Sequence, residues 1–99
     1  MPEDPHLVRR VVVEGFVQGV GYRDFARRAA LGLGVSGWVR NRPDGAVEAL
    51  VAGPPDRVER LLAAMRRGPP GAMVSSLRLA DPAPDDEPNP AGFAIRRTG

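Results

Sequence analysis

Two stretches of this chain carry helical periodicity, and each has only one apolar stripe. Tyr22, Phe25, Ala26, Ala29, Ala30 and Leu33 recur at helical spacing with Arg27 and Arg28 on the opposite face, and Gly32 and Gly34 supply the stop signal. Pro55 suits a first helical turn, and Val58, Leu61, Leu62 and Met65 then form a second stripe that ends at Gly68-Pro69-Pro70. A helix with one apolar stripe needs a partner layer to cover it. The available layer is strand-like: Leu7 to Glu14, rich in β-branched residues, then Val35 to Arg42 and Ala46 to Ala52 joined by the turn Pro43-Asp44-Gly45. Met73 to Ala80 and Phe93 to Arg97 complete the strands. Along the run from Ala46, alternation puts Val47, Ala49 and Val51 on one face and Glu48 on the other.

The order is therefore β-α-β-β-α-β with a short last strand. Packing both helices on one face of a mostly antiparallel sheet buries both stripes, which predicts an α+β, ferredoxin-like sandwich. With 99 residues, 42% of them hydrophobic, the chain suits one domain spanning 1–99. Residues 1–6 are expected to fray. The Pro-rich segment within 81–92, with four acids and no base, is expected to be an exposed loop.

The composition removes several chemistries. There is no cysteine, so disulfides, thiolate nucleophiles and cysteine metal sites are excluded, and the expected compartment is the cytoplasm. No apolar run approaches the length of a membrane span, so no membrane association is expected. The only histidine, His6, lies in the terminal stretch, which disfavours histidine acid/base catalysis and histidine metal clusters. Ser36, Ser75 and Ser76 have no evident base partner for covalent catalysis. All 14 basic residues are arginine, a pattern that GC-rich coding also produces. They are nonetheless uneven: from Leu7 to Leu79 there are twelve Arg against six acids, and a basic surface concentrates anions, either phosphorylated metabolites or nucleic acid.

The remaining candidate is an electrostatic site. Gly15-Phe16-Val17-Gln18-Gly19-Val20-Gly21 lies between a strand and a helix, where free backbone N–H groups and the positive end of a helix dipole favour an anion. The segment matches neither the P-loop, for which the chain has no lysine, nor the dinucleotide fingerprint. Arg23 falls in the first turn of the helix, where the dipole disfavours a cation, so it is either a solvated helix-face arginine or the ligand of an anion bound there. Asn41 is either a turn-tolerant residue before the hairpin or a carboxamide that positions water. Trp38 and Tyr22 are read as packing residues. So spare a set of groups suits phosphoryl transfer to water when the leaving group needs no proton, as the carboxylate of an acyl phosphate does not.

The run from Gly15 to Arg23 resembles the first signature of the acylphosphatase family, and Gly37-Trp-Val-Arg-Asn-Arg-Pro-Asp-Gly-Ala-Val-Glu48 resembles the second. The likeness covers nearly everything from Val11 to Arg96. It implies hydrolysis of small acyl phosphates to carboxylate and inorganic phosphate by a monomeric enzyme without metal or other cofactor. Arg23 and the backbone of Gly15, Phe16, Val17, Gln18, Gly19 and Val20 would bind the phosphoryl group, and Asn41 would orient the attacking water. Phe16 stands where the family often has a polar or basic residue. Arg42 stands where some members carry threonine; it either adds a substrate contact or faces solvent. The competing reading is a non-catalytic ferredoxin-like module that binds nucleic acid or another anion. It is disfavoured because Trp38 is the one large ring on a central strand run, so no nucleic-acid partner is expected.

Overall fold

The computed structural model describes residues 6–86 and 92–99. The elements are β1 (Leu7–Phe16), α1 (Tyr22–Leu33), β2 (Ser36–Asn41), β3 (Val47–Gly53), α2 (Pro55–Arg67), β4 (Met73–Ala80) and β5 (Phe93–Ile95). The expected order and both helices are present. The strands form one sheet in the order β4-β1-β3-β2-β5, antiparallel except for the pairing of β2 with β5. Each helix crosses from one strand over a neighbour to the next strand but one, the split β-α-β arrangement of a ferredoxin-like fold.

The period-two alternation of the strands decides which residues meet the helices. Val11 and Val13 of β1, Val39 of β2, and Val47, Ala49 and Val51 of β3 are fully buried. They share one core with Ala26 and Ala30 of α1 and with Val58, Leu61, Leu62 and Met65 of α2. Tyr22 joins the two helices at one end. Its hydroxyl donates to the carbonyl of Met65 at 2.7 Å, satisfying one of the orphan acceptors in the last turn of α2. Burial pushes the Tyr22 phenol above its ordinary pKa, so it stays a protonated donor. A buried hydrogen bond thereby anchors the first residue of α1, one position before Arg23.

Strand β1 is longer than its sequence pattern predicts. It runs through Gly15 to Phe16, which face Val74 and Met73 of β4 after a register shift between Glu14 and Gly15. A side chain at Gly15 would collide with the backbone of Met73, and the residue sits at φ 129°. The glycine thus allows close strand approach instead of ending the strand. At the other end of the sheet, β5 stops at Ile95.

The opposite sheet face carries charge. Glu48 is only 5% exposed and lies between two arginines. Arg10 Nε donates to it at 2.9 Å, and Arg40 Nη2 approaches it to 2.7 Å. Burial alone would raise the Glu48 pKa, but the hydrogen bonds from Arg10 and Arg40 outweigh that and hold it below its ordinary value. Trp38 is almost wholly buried on this face, with the guanidinium carbons of Arg40 and Arg96 4.9 and 5.0 Å from its ring centroid. Of the segment 81–92 expected as an exposed loop, 81–86 and 92 are described, and Asp86 departs from that expectation. It accepts from Arg10 at 2.7 Å and from the Ala83 amide at 2.8 Å, fastening the start of the segment to β1. Residues 1–5 of the terminus expected to fray lie outside the described residues; His6 is exposed. Among the described residues no helix is long and apolar enough to cross a membrane.

Candidate active site

The chain leaves β1 at Phe16 and reaches α1 at Tyr22 through a loop held from beneath by Val17, whose side chain is buried in the core. Gly19 and Gly21 both adopt left-handed backbone, with φ 78° and 77°. Left-handed residues alternating with ordinary ones turn successive N–H groups toward a common side, the geometry of an anion-binding nest. Gly21 is also the N-cap of α1, so no side chain caps the helix. Among the described residues, the main-chain amides of residues 18–24 donate no hydrogen bond. The free amides of the loop therefore run without a break into the orphan donors of the helix N-terminus, adding to its positive dipole end.

A cavity of about 210 Å³ opens in front of these amides, lined by Val17, Gln18, Gly19, Gly21, Tyr22, Arg23, Asp24, Asn41 and Ile95. Arg23 and Asn41, separated by a helix and most of a strand in sequence, line this one space. The Arg23 side chain is half-buried and makes no hydrogen bond or ion pair among the described residues. Asn41, at the end of β2, has a buried side-chain oxygen without a hydrogen-bond partner. A buried acceptor left empty costs about 1–3 kcal/mol, so its presence here favours a bound donor such as water. Asp24 faces the same region, but an ion pair of 2.6 Å with Arg28 offsets its charge, leaving Arg23 as the unpaired charge of the lining.

The loop is clamped to the other half of the site. Gln18 Nε2 donates to the carbonyl oxygens of Arg42 and Ala46, each at 2.9 Å. The Arg42 amide donates to that same Ala46 carbonyl at 2.8 Å, closing the hairpin turn. One carboxamide thus ties the β1–α1 loop to the turn that follows Asn41.

Several expected site residues are placed differently. Gly15 and Phe16 lie within β1 and do not line the cavity; the Phe16 side chain is 62% exposed. Val20 packs against the core. Arg42 turns away from the cavity to pair with Asp44 at 3.0 Å and approaches Glu48 at 3.9 Å. Gly21, Tyr22, Asp24 and Ile95 line the cavity although the sequence reading did not name them as site residues. Gly21 as N-cap and Asp24 in the first turn are the helix-start signals that could have found two of them. Nothing local pointed to Ile95, which arrives only because β5 pairs with β2, setting it opposite Val39.

Comparison with known proteins identifies the family. The acylphosphatase family model matches residues 9–95. An acylphosphatase of Azoarcus sp. is 53% identical over 92 residues, covering 93% of this chain and 91% of that protein. Acylphosphatase 2 of Ralstonia nicotianae is 52% identical over 89% of this chain and 90% of its own length. The crystal structure of acylphosphatase from Bacillus subtilis superposes with a TM-score of 0.80 at 32% identity, covering 90% of this chain and 97% of that one. Matching over nearly its whole length in sequence and in fold, the chain belongs to the acylphosphatase family and is an enzyme of that kind.

Proposed function

We propose that the chain hydrolyses the carboxyl–phosphate bond of small acyl phosphates by direct attack of water, with no metal or other cofactor. The observation that carries this reading is the convergence of the unpaired Arg23 side chain, the free-amide residues Gln18, Gly19 and 21–24, and Asn41 with its unpartnered carboxamide oxygen, on the lining of one cavity. The phosphoryl oxygens lie in the amide nest, and Arg23 contributes two parallel N–H donors to them. Both sets of donors are in place before reaction, so they stabilise the charge spread over the phosphoryl oxygens in a loose transition state without reorganising.

Asn41 accepts a hydrogen bond from the nucleophilic water and holds it in line with the scissile bond. As the water oxygen bonds to phosphorus, the P–O bond to the acyl group breaks and its electron pair leaves on the carboxylate. The water's proton passes to a phosphoryl oxygen of the substrate, and the products are a carboxylate and inorganic phosphate. The carboxylate is stable without a proton, so the reaction asks for no general acid. Gly15, Phe16 and Val20 act through the course of the loop, while Val17, Gln18 and Gly19 line the site itself. As the family resemblance implies, the chain acts as a monomer.

The decisive experiment measures hydrolysis of acetyl and benzoyl phosphate by the wild-type protein and by Arg23→Ala in parallel, with and without EDTA. Wild-type turnover that resists EDTA and is lost in the variant is the expected result. Equal turnover in the two proteins would remove Arg23 from the mechanism, and activity restored only by added metal would contradict the cofactor-free reading.

A further inference from the structure

Next to the phosphate-sized cavity lies a second, larger cleft of about 510 Å³, lined by Gly21, Asp24, Phe25, Arg28, Ala29, Pro69 and Pro70. It is formed where the first turns of α1 face the turn that leads from α2 to β4. The two spaces are neighbours that share Gly21 and Asp24 in their linings. We infer that this cleft is the acyl subsite and that it takes uncharged, apolar acyl groups of aromatic or branched size.

This subsite rests on the proposed hydrolysis, because a substrate whose phosphoryl group occupies the amide nest must send its acyl group into an adjoining space. Phe25, Ala29, Pro69 and Pro70 give that space apolar walls. Its two charges, Asp24 and Arg28, are paired with each other at 2.6 Å. Their opposite charges offset each other, so the cleft carries no net charge to attract a second carboxylate or phosphate. The volume is within the range of small-molecule sites, whereas an acetyl group would leave most of it filled with water. The preference follows from apolar area: a ring or branched chain covers Phe25 and the two prolines, and a methyl group covers little.

The test compares kcat/KM for acetyl, isobutyryl, benzoyl and succinyl phosphate on the wild-type protein, then repeats it with two variants that fill the cleft, Ala29→Phe and Pro70→Trp. Pro70 is exposed on a turn and accepts bulk even if the helix position does not. Leu31→Phe, on α1 but outside the cleft, is the control. Wild-type protein should favour benzoyl over acetyl phosphate by about 10-fold or more and should disfavour succinyl phosphate, on the scale of apolar groups in a pocket. Either filling variant should cut the benzoyl-to-acetyl ratio by about 10-fold, and the control should keep it. A wild-type enzyme that hydrolyses all four substrates without preference, or filling variants that leave the ratio intact, would overturn the subsite alone. Failure to hydrolyse any of them would instead overturn the functional reading beneath it.

Discussion

The side chain of Gln18 ties the β1–α1 loop to the β2–β3 turn, donating through a single nitrogen to the backbone carbonyls of Arg42 and Ala46, each at 2.9 Å. This contact sets the distance between the loop that offers free amides and the strand end that offers Asn41. In the proposed mechanism that distance is also the one between the phosphoryl group and its attacking water. In that mechanism Gln18 would act as a positioning residue whose side chain need not touch the substrate.

Replacing Gln18 with Ala should cost about 1–2 kcal/mol of stability for the two lost hydrogen bonds, and should lower kcat by about 10-fold through misplacement of the water. Gln18→Glu should behave no better, because an ionised carboxylate cannot donate to the two carbonyls. Denaturant titration gives the first quantity and steady-state kinetics the second. If kcat held while stability fell, the clamp would be a purely structural one.

At Asn41 the expected effect is on turnover. Asn41→Ala should lower kcat by about 10²–10³, the scale for one oriented transition-state contact, while the inhibition constant for inorganic phosphate stays near wild type. A variant whose phosphate affinity collapsed would show that the carboxamide grips the anion instead of the water.

Arg23→Lys separates charge from geometry. The ammonium preserves the positive charge but cannot supply two parallel donors, so phosphate should still bind, several-fold more weakly, and kcat should fall by at least 10-fold. Full activity in the lysine variant would mean that point charge alone suffices.

The buried carboxylate of Glu48 makes stability depend on acid. Its pKa in the folded chain lies below the ordinary value of 4.5, so the stability it contributes is present above that value and disappears as pH falls through the folded pKa. Glu48→Gln should lower stability at pH 7 by about 3 kcal/mol, since Arg10 and Arg40 lose their charged partner in a mostly buried setting. The gap between wild type and variant should close in strong acid, where the wild-type carboxyl is protonated as well. Urea melts at pH 7 and in a descending series below pH 4.5 test this; a gap independent of pH would assign the effect to shape instead of charge.

The order of elements and the face that β3 turns to the helices were legible in the sequence because both follow from local periodicity. The helical stripes of residues 22–33 and 55–65, and the alternation of Val47, Ala49 and Val51, survive in the structure because nothing tertiary opposes them. The glycine-rich loop and Arg23 at a helix start were legible for a similar reason, since helix N-termini leave donors free wherever they occur.

What tertiary structure decided is everything that depends on one strand meeting another. Gly15 reads locally as the start of a turn, yet it continues β1 because the backbone of β4 comes so close that only a residue without a side chain fits. Arg42 reads as a possible substrate contact, yet the fold offers it Asp44 and Glu48 on the far side of the hairpin. Ile95 reaches the cavity through a parallel pairing, and the Gln18 clamp spans the β1–α1 and β2–β3 connections. Short-range patterns determine which groups a segment presents, because dihedral preference and burial act residue by residue. Which of those groups confront one another is settled only when the sheet closes its register, since that brings together residues far apart in the chain.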